Sequence, residues 1–216
     1  MKKERKSRKK ITRQFLALVM VIILVCTTVD VPLMAADAQG NIQTEMGMDF
    51  IITGTDLVYG VDYTYPANTG ILTILSDKKI TIENAKKDIA TTDSIEVADG
   101  VNANITLAGV NIDVSTISDK VAFKIADDST GNVTITLADG ETNTLKSGLC
   151  CAGLQKKGPY ISDTQGKLII QGGVSGTGTL NAIAGSQAAG IGGREGSNIE
   201  IKGGKITALI DLVCDF

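Results

Sequence analysis

The sequence predicts an all-β chain wound as a right-handed parallel β-helix, and three observations carry that expectation. Glycine-rich corners alternate with short strands: Ala188-Ala189-Gly190-Ile191-Gly192-Gly193 precedes Asn198-Ile199-Glu200-Ile201-Lys202, and Gly203-Gly204 precedes Lys205-Ile206-Thr207. Strands of this kind recur at near-regular intervals from Lys79 to Thr207, each alternating aliphatic with polar residues, and no helical run competes with them. A strand so short cannot bury its apolar row alone, so the pattern makes physical sense where neighbouring coils stack and share a core. Third, large aromatic side chains are scarce: beyond residue 38 they are Phe50, Tyr59, Tyr63, Tyr65, Phe123, Tyr160 and Phe216. A β-sandwich, the alternative all-β architecture, draws on such side chains to fill the space between two sheets.

In chain order, residues 1–38 read as a secretory signal peptide. Lys2, Lys3, Arg5, Lys6, Arg8, Lys9, Lys10 and Arg13 precede an apolar run of 12 residues from Phe15 to Cys26, short for a membrane span. Ala36-Asp37-Ala38 fits the small-x-small cleavage pattern, with Met34-Ala35-Ala36 as the neighbouring choice and an uncleaved anchor as the competing reading. Val25 stands where a lipidated Cys26 would need a small residue, which argues against lipidation. Residues 39–78 form an N-terminal segment and β cap. Within it, Asp56 to Tyr65 and Ile71 to Leu75 are expected strands separated by the turn residues Pro66, Asn68 and Gly70.

Residues 79–208 carry the coils. The expected strands begin at Lys79, Ile95, Ile105, Val110, Phe123, Val133, Asn143, Lys167, Gly178, Ile199 and Lys205. Ala98 to Gly109 is echoed by Ala126 to Gly140, both pairing an Asn-Ile/Val-Thr core with Ala-Asp corners, as one structural unit used twice would. Outward Asn and Thr pairs, Asn102 with Asn104 and Thr134 with Thr136, fit stacked ladders or a flat hydrogen-bonding surface. Residues 209–216 read as an irregular tail, either folded over an open end or marking a fragment of something longer.

The segment Ile95 to Val114, then Thr134 to Gly140 with Asn143 to Gly148, Ala152-Gly153-Leu154-Gln155 and the Ala189-Gly190-Ile191-Gly192-Gly193 corner resemble the exported β-helix modules of Gram-positive gut and anaerobic bacteria. Such modules are often labelled carbohydrate-binding or adhesin-like. The resemblance implies a parallel β-helix displayed at a bacterial cell surface, with extracellular glycans or cell-wall polysaccharide as partners.

Charge and composition narrow the chemistry. Eight of the 21 Lys and Arg but three of the 24 Asp and Glu lie in residues 1–38, so 13 cationic and 21 anionic side chains remain, a net charge of −8. An acidic domain is ill suited to nucleic acid or, once the leader is cleaved, to an anionic membrane. The absence of His and of Cys-x-x-Cys pairs argues against zinc, and Cys150 with Cys151 read as small buried strand residues rather than a redox pair. Gly-Ile-Gly-Gly lacks the Lys-Ser/Thr of a phosphate loop. Arg194 is the one arginine beyond residue 38, and it reads with Glu195 as part of a solvated loop, leaving little of the equipment of sugar-acid catalysis. The expected function is therefore a binding or structural module without catalysis and without a required cofactor. The alternative is a calcium-dependent polysaccharide lyase or glycosidase-like enzyme on acidic polysaccharide. Asp127, Asp128 and Asp139 are the candidate calcium ligands, although their Asp-rich corners also suit turn hydrogen bonding. Tyr59, Tyr63 and Tyr65 are the candidate sugar platform, although an apolar cap uses the same residues.

Overall fold

Alternation of aliphatic and polar residues yields sixteen strands and no helix among the residues described by the structure, a computed structural model covering 48–158, 165–193 and 198–210. The leader over 1–38, Tyr160, Arg194, Glu195, Cys214 and Phe216 lie outside the described residues. In chain order the strands are β1 (Phe50–Thr53), β2 (Tyr63–Thr64), β3 (Ile71–Ile74), β4 (Lys79–Asn84), β5 (Ser94–Val97), β6 (Asn104–Leu107), β7 (Asn111–Asp113) and β8 (Phe123–Ile125). They continue with β9 (Val133–Leu137), β10 (Thr142–Lys146), β11 (Leu154–Lys156), β12 (Leu168–Gly172), β13 (Thr179–Ala184), β14 (Ile191–Gly192), β15 (Ile199–Ile201) and β16 (Lys205–Ile210).

Three sheets result. The first runs β1-β4-β6-β9-β12-β15, the second β7-β10-β13-β16, and the third β2-β3-β5-β8-β11-β14. From β6 onward the chain visits the first, second and third sheet in strict rotation, and every pairing after β4 is parallel. Antiparallel pairing, which a sandwich would need throughout, is confined to β1 with β4 and β2 with β3.

Register stacks like on like. In the first sheet Ile80 pairs with Ile105, Ile105 with Ile135 and Ile135 with Ile170, all fully buried. The echo between Ala98–Gly109 and Ala126–Gly140 is thus a direct pairing, Leu107 on Leu137 among its rungs. In the third sheet Leu72, Ile95, Phe123 and Leu154 form one inward column. Ile74, Val97 and Ile125 form the next, and Lys156 occupies its following position, fully buried. Burial pushes the Lys156 ammonium below the usual lysine range, against the opposite pull of the Asp128 carboxylate.

Two local expectations are corrected. The alternating segment Asp56 to Tyr65 is mostly turn, with only Tyr63–Thr64 paired as strand. The Asp62 carboxylate accepts the Val58 N–H at 2.7 Å and meets Lys78 at 2.9 Å, closing a turn that Gly60 completes at φ 80°. Conversely, the glycine-rich segment at 188–193 is not all corner, because Ile191–Gly192 pairs as a strand with Leu154–Gln155. The glycines there answer to crowding. A Cβ on Gly153 would lie 2.5 Å from the Ile183 nitrogen and 2.7 Å from the Leu145 carbonyl, and one on Gly190 would lie 2.6 Å from the Ala182 carbonyl. These are backbone atoms of β10 and β13 in the second sheet, so a side chain at either position would collide with them.

Buried polar residues hold successive circuits together at the corners. Asn143 accepts the N–H groups of Gly109 at 3.0 Å and Val110 at 2.9 Å, and its Nδ2 donates to the Thr179 carbonyl at 3.1 Å. One amide thereby ties three passages of the chain. Asn102 accepts from the Asn132 N–H and Asn132 from the Lys167 N–H, the ladder reading of that row. Leu180 occupies the position of Asn143 one circuit later, so Asn143→Leu fills the slot with a side chain the fold already accepts there while stranding the Gly109 and Val110 N–H groups and the Thr179 carbonyl. The substitution is expected to lower unfolding free energy by roughly 1–3 kcal/mol, measured as a shifted urea midpoint at constant m-value.

Candidate functional site

Outward positions of the third sheet form the floor of a groove of about 1000 Å³. Strand alternation sends Ile95, Phe123 and Leu154 inward, which leaves Glu96, Lys124 and Gln155 in register on the outer face, with Gly192 on the next strand. The segments 118–121, 150–152 and 187–189 line it, as do Asp127 and Lys157.

The charges are matched in pairs. Lys124 Nζ stands 3.6 Å from a Glu96 oxygen, and Lys157 Nζ stands 3.8 Å from an Asp127 oxygen. Lys120 donates to the Thr92 carbonyl at 2.6 Å. With Asp119 the lining carries three acids and three lysines, and no aromatic residue is among the described lining residues. Cys150 and Cys151 lie on the turn before β11 rather than within a strand, as free thiols. Cys150 is exposed in the left-handed backbone region at φ 61°, while Cys151 is buried and burial pushes its thiol up.

The three tyrosines lie elsewhere, at the N-terminal end, and do not share an open face. Tyr63 and Tyr65 are fully buried, whereas Tyr59 is half-exposed and meets Tyr63 edge-on at 5.7 Å. Tyr65 packs on Phe50 at 5.6 Å, donates its hydroxyl to Asp93 and accepts the Asp49 N–H at 3.2 Å. A sugar ring has no access to two of the three rings. Their position is that of the apolar cap.

The three aspartates also part company. Asp127 and Asp128 lie between β8 and β9, and Asp139 between β9 and β10. Asp127 pairs with Lys157, and Asp128 takes a left-handed turn position at φ 59°. Asp139 accepts the N–H of Ser175 at 2.8 Å and of Thr177 at 3.1 Å, closing the turn stacked on it. Among the described residues no group of three His, Cys, Asp or Glu side chains is placed to hold a metal ion.

Glu96, Lys124 and Gln155 were the residues missed from sequence. Their signal is visible once Ile95-Glu96-Val97, Phe123-Lys124-Ile125 and Leu154-Gln155-Lys156 are aligned, since all three middle residues occupy one outward slot. Searches against protein-family models, curated proteins and solved structures return no match for the chain.

The Tyr63 hydroxyl is buried without a hydrogen-bond partner among the described residues, so Tyr63→Phe is expected to be neutral or stabilising. Tyr65→Phe strands the Asp49 and Asp93 groups and is expected to cost roughly 1–3 kcal/mol, both read from denaturant midpoints.

Hydrogen bonding, from the Ser175 N–H above all, holds the Asp139 carboxyl below its ordinary pKa. A carboxyl lowered in the folded state contributes stability that is fully present above its unfolded pKa near 3.8 and is lost as pH falls through the folded value. Asp139→Asn is therefore expected to flatten this acid limb in a melting-temperature profile against pH. The variant and the parent should converge at the acid end.

Proposed function

We propose that the chain is a right-handed parallel β-helix, exported from the cell and displayed at a bacterial surface as a binding module of an adhesin-like protein. Its partner is an extracellular glycan or cell-wall polysaccharide, and no catalytic step is involved. The groove over the third sheet carries this reading: it is a concave surface of mixed polar and apolar character assembled from successive strands. The rotation of strands through three sheets supports the winding, and the strong preference of parallel crossover connections for one hand supports its sense. The basic segment and 12-residue apolar run at the start support export.

Binding rather than turnover is favoured by the pairing of the groove's carboxylates with lysines. Glycoside cleavage calls for two carboxyl groups flanking the scissile bond, one of them kept protonated. Glu96 and Asp127 instead each stand beside a lysine, at 3.6 Å and 3.8 Å, rather than as a facing carboxyl pair.

The test is made on the exported protein. Its N-terminal residue, saturable binding on a glycan array, and release of reducing or unsaturated ends from neutral and acidic polysaccharides are measured with and without calcium. A new N-terminus directly after Ala38 with binding and no cleavage is the expected outcome. Calcium-dependent cleavage of a uronate polymer would replace the binding module with an enzyme, and absence of both would leave a spacer.

A further inference from the structure

We propose that Cys150 and Cys151 are a redox-responsive modification site on the wall of the groove, closing reversibly into a disulfide between neighbouring residues. The inference stands on the two thiols and the turn that holds them, and it goes beyond the binding-module reading without depending on it.

Both cysteines line the groove, Cys150 exposed and Cys151 at 6% exposure, and both are free thiols. The Cys151 N–H donates to the Gly148 carbonyl at 3.1 Å, which makes 148–151 a turn with Cys150 as its third residue, at φ 61°. That backbone region favours glycine. On the corner between the first and second sheets, glycine does take the left-handed position in each circuit from β6 onward, as Gly109, Gly140, Gly176 and Gly204. On the corner between the second and third sheets the position goes to Asp119, Cys150 and Gln187, and all three line the groove. Asp119 and Gln187 are exposed hydrophilic residues, so Cys150 holds a slot that the circuits on either side give to side chains facing water. Packing does not account for a thiol there. What sets cysteine apart at an exposed position is its reactivity, and here a second thiol is the next residue.

A bridge between neighbours is strained by construction. Consecutive Cα atoms lie about 3.8 Å apart across a trans peptide, shorter than the separation of about 4.4–6.8 Å that disulfides prefer. The stacked circuits also pin this turn from both sides. The Gly148 N–H donates to the Lys120 carbonyl at 2.9 Å, the Cys150 N–H to the Ser186 carbonyl at 3.2 Å, and the Gly185 N–H to the Cys151 carbonyl at 3.1 Å. Closing the ring therefore bends backbone that is held on two faces. Strained and exposed disulfides are the readily reduced ones, so the pair suits a switch rather than a staple.

The oxidant is a low-molecular-weight disulfide, with glutathione disulfide as the probe. The exposed Cys150 thiolate attacks one of its sulfurs, forming a mixed disulfide and expelling the first glutathione thiolate. The Cys151 thiolate then attacks the Cys150 Sγ and expels the second. Two protein thiols are oxidised to one disulfide, the external disulfide is reduced to two thiols, and the two protons released pass to the departing thiolates. Reduced glutathione reverses both steps.

The test is peptide mapping by mass spectrometry after the folded chain has been incubated with glutathione disulfide. Trypsin cleaves after Lys146 and Lys156, so both cysteines fall in one peptide, Ser147 to Lys156. An internal bridge makes that peptide lighter by two hydrogens, and a mixed disulfide makes it heavier by one glutathione. We expect the wild type to pass through the adduct to the bridged peptide with its melting transition retained, and reduced glutathione to restore the dithiol. Cys151→Ser is expected to stop at the adduct, because the thiol that would expel glutathione is gone. Should that variant fail to fold, the wild-type map decides alone. An unreacted peptide, an adduct that the wild type never resolves, a bridge to Cys26, Cys214 or a second copy, or a bridge that reduced glutathione cannot open overturns the inference. A blank glycan array leaves it standing, and its failure leaves the binding module standing.

Discussion

No strand in this protein can satisfy itself. β6 holds two inward side chains, Ile105 and Leu107, whose burial contributes about 1.5–3 kcal/mol each, whereas ordering its four residues costs about 1–2 kcal/mol apiece in backbone entropy alone. The strand forms because the chain comes back to it. β4 and β9 pair with it on either side, supplying both the ladder bonds and the walls that keep Ile105 and Leu107 from water. Every later feature depends on this mutual dependence between segments distant in sequence.

Stacking in register has a second requirement, that the corners be as well satisfied as the strands. Backbone groups turning between sheets have no ladder partner, and buried side chains supply one. Ser147 accepts the Ala122 N–H at 2.8 Å, and Ser129 accepts those of Gly100 at 3.2 Å and Gly131 at 3.3 Å. Asn84 and Asn143 do the same with both ends of their amides.

The strands were legible where register reinforces local pattern. Ile105-Thr106-Leu107 and Val133 to Leu137 alternate in sequence and sit on one another in space, so one signal reports both facts. Asp56 to Tyr65 alternates as well, but the Asp62 carboxylate captures the Val58 N–H, and the local hydrogen bond wins over extension. Phe50–Thr53 escaped notice because its order comes from antiparallel pairing with β4 and from Phe50 packing on Tyr65, neither visible along the chain. Leu154–Lys156 was obscured by its last residue, since a lysine at an inward position breaks the alternation that betrays a strand. The groove was the least legible part. Its floor takes single residues from segments dozens of positions apart, and those residues share a slot only after the circuits have been aligned.

The circuits are unequal in length. In the second sheet Ile112 pairs with Leu145, Leu145 with Ala182 and Ala182 with Ala208, so the chain returns after 33, 37 and then 26 residues without losing step. Lengthening a flexible connection is thermodynamically mild, about 0.6 kcal/mol for each doubling. The corners can thus be rewritten by insertion and deletion while the ladders stay untouched, and a groove bordered by such corners can acquire new walls without renegotiating its floor.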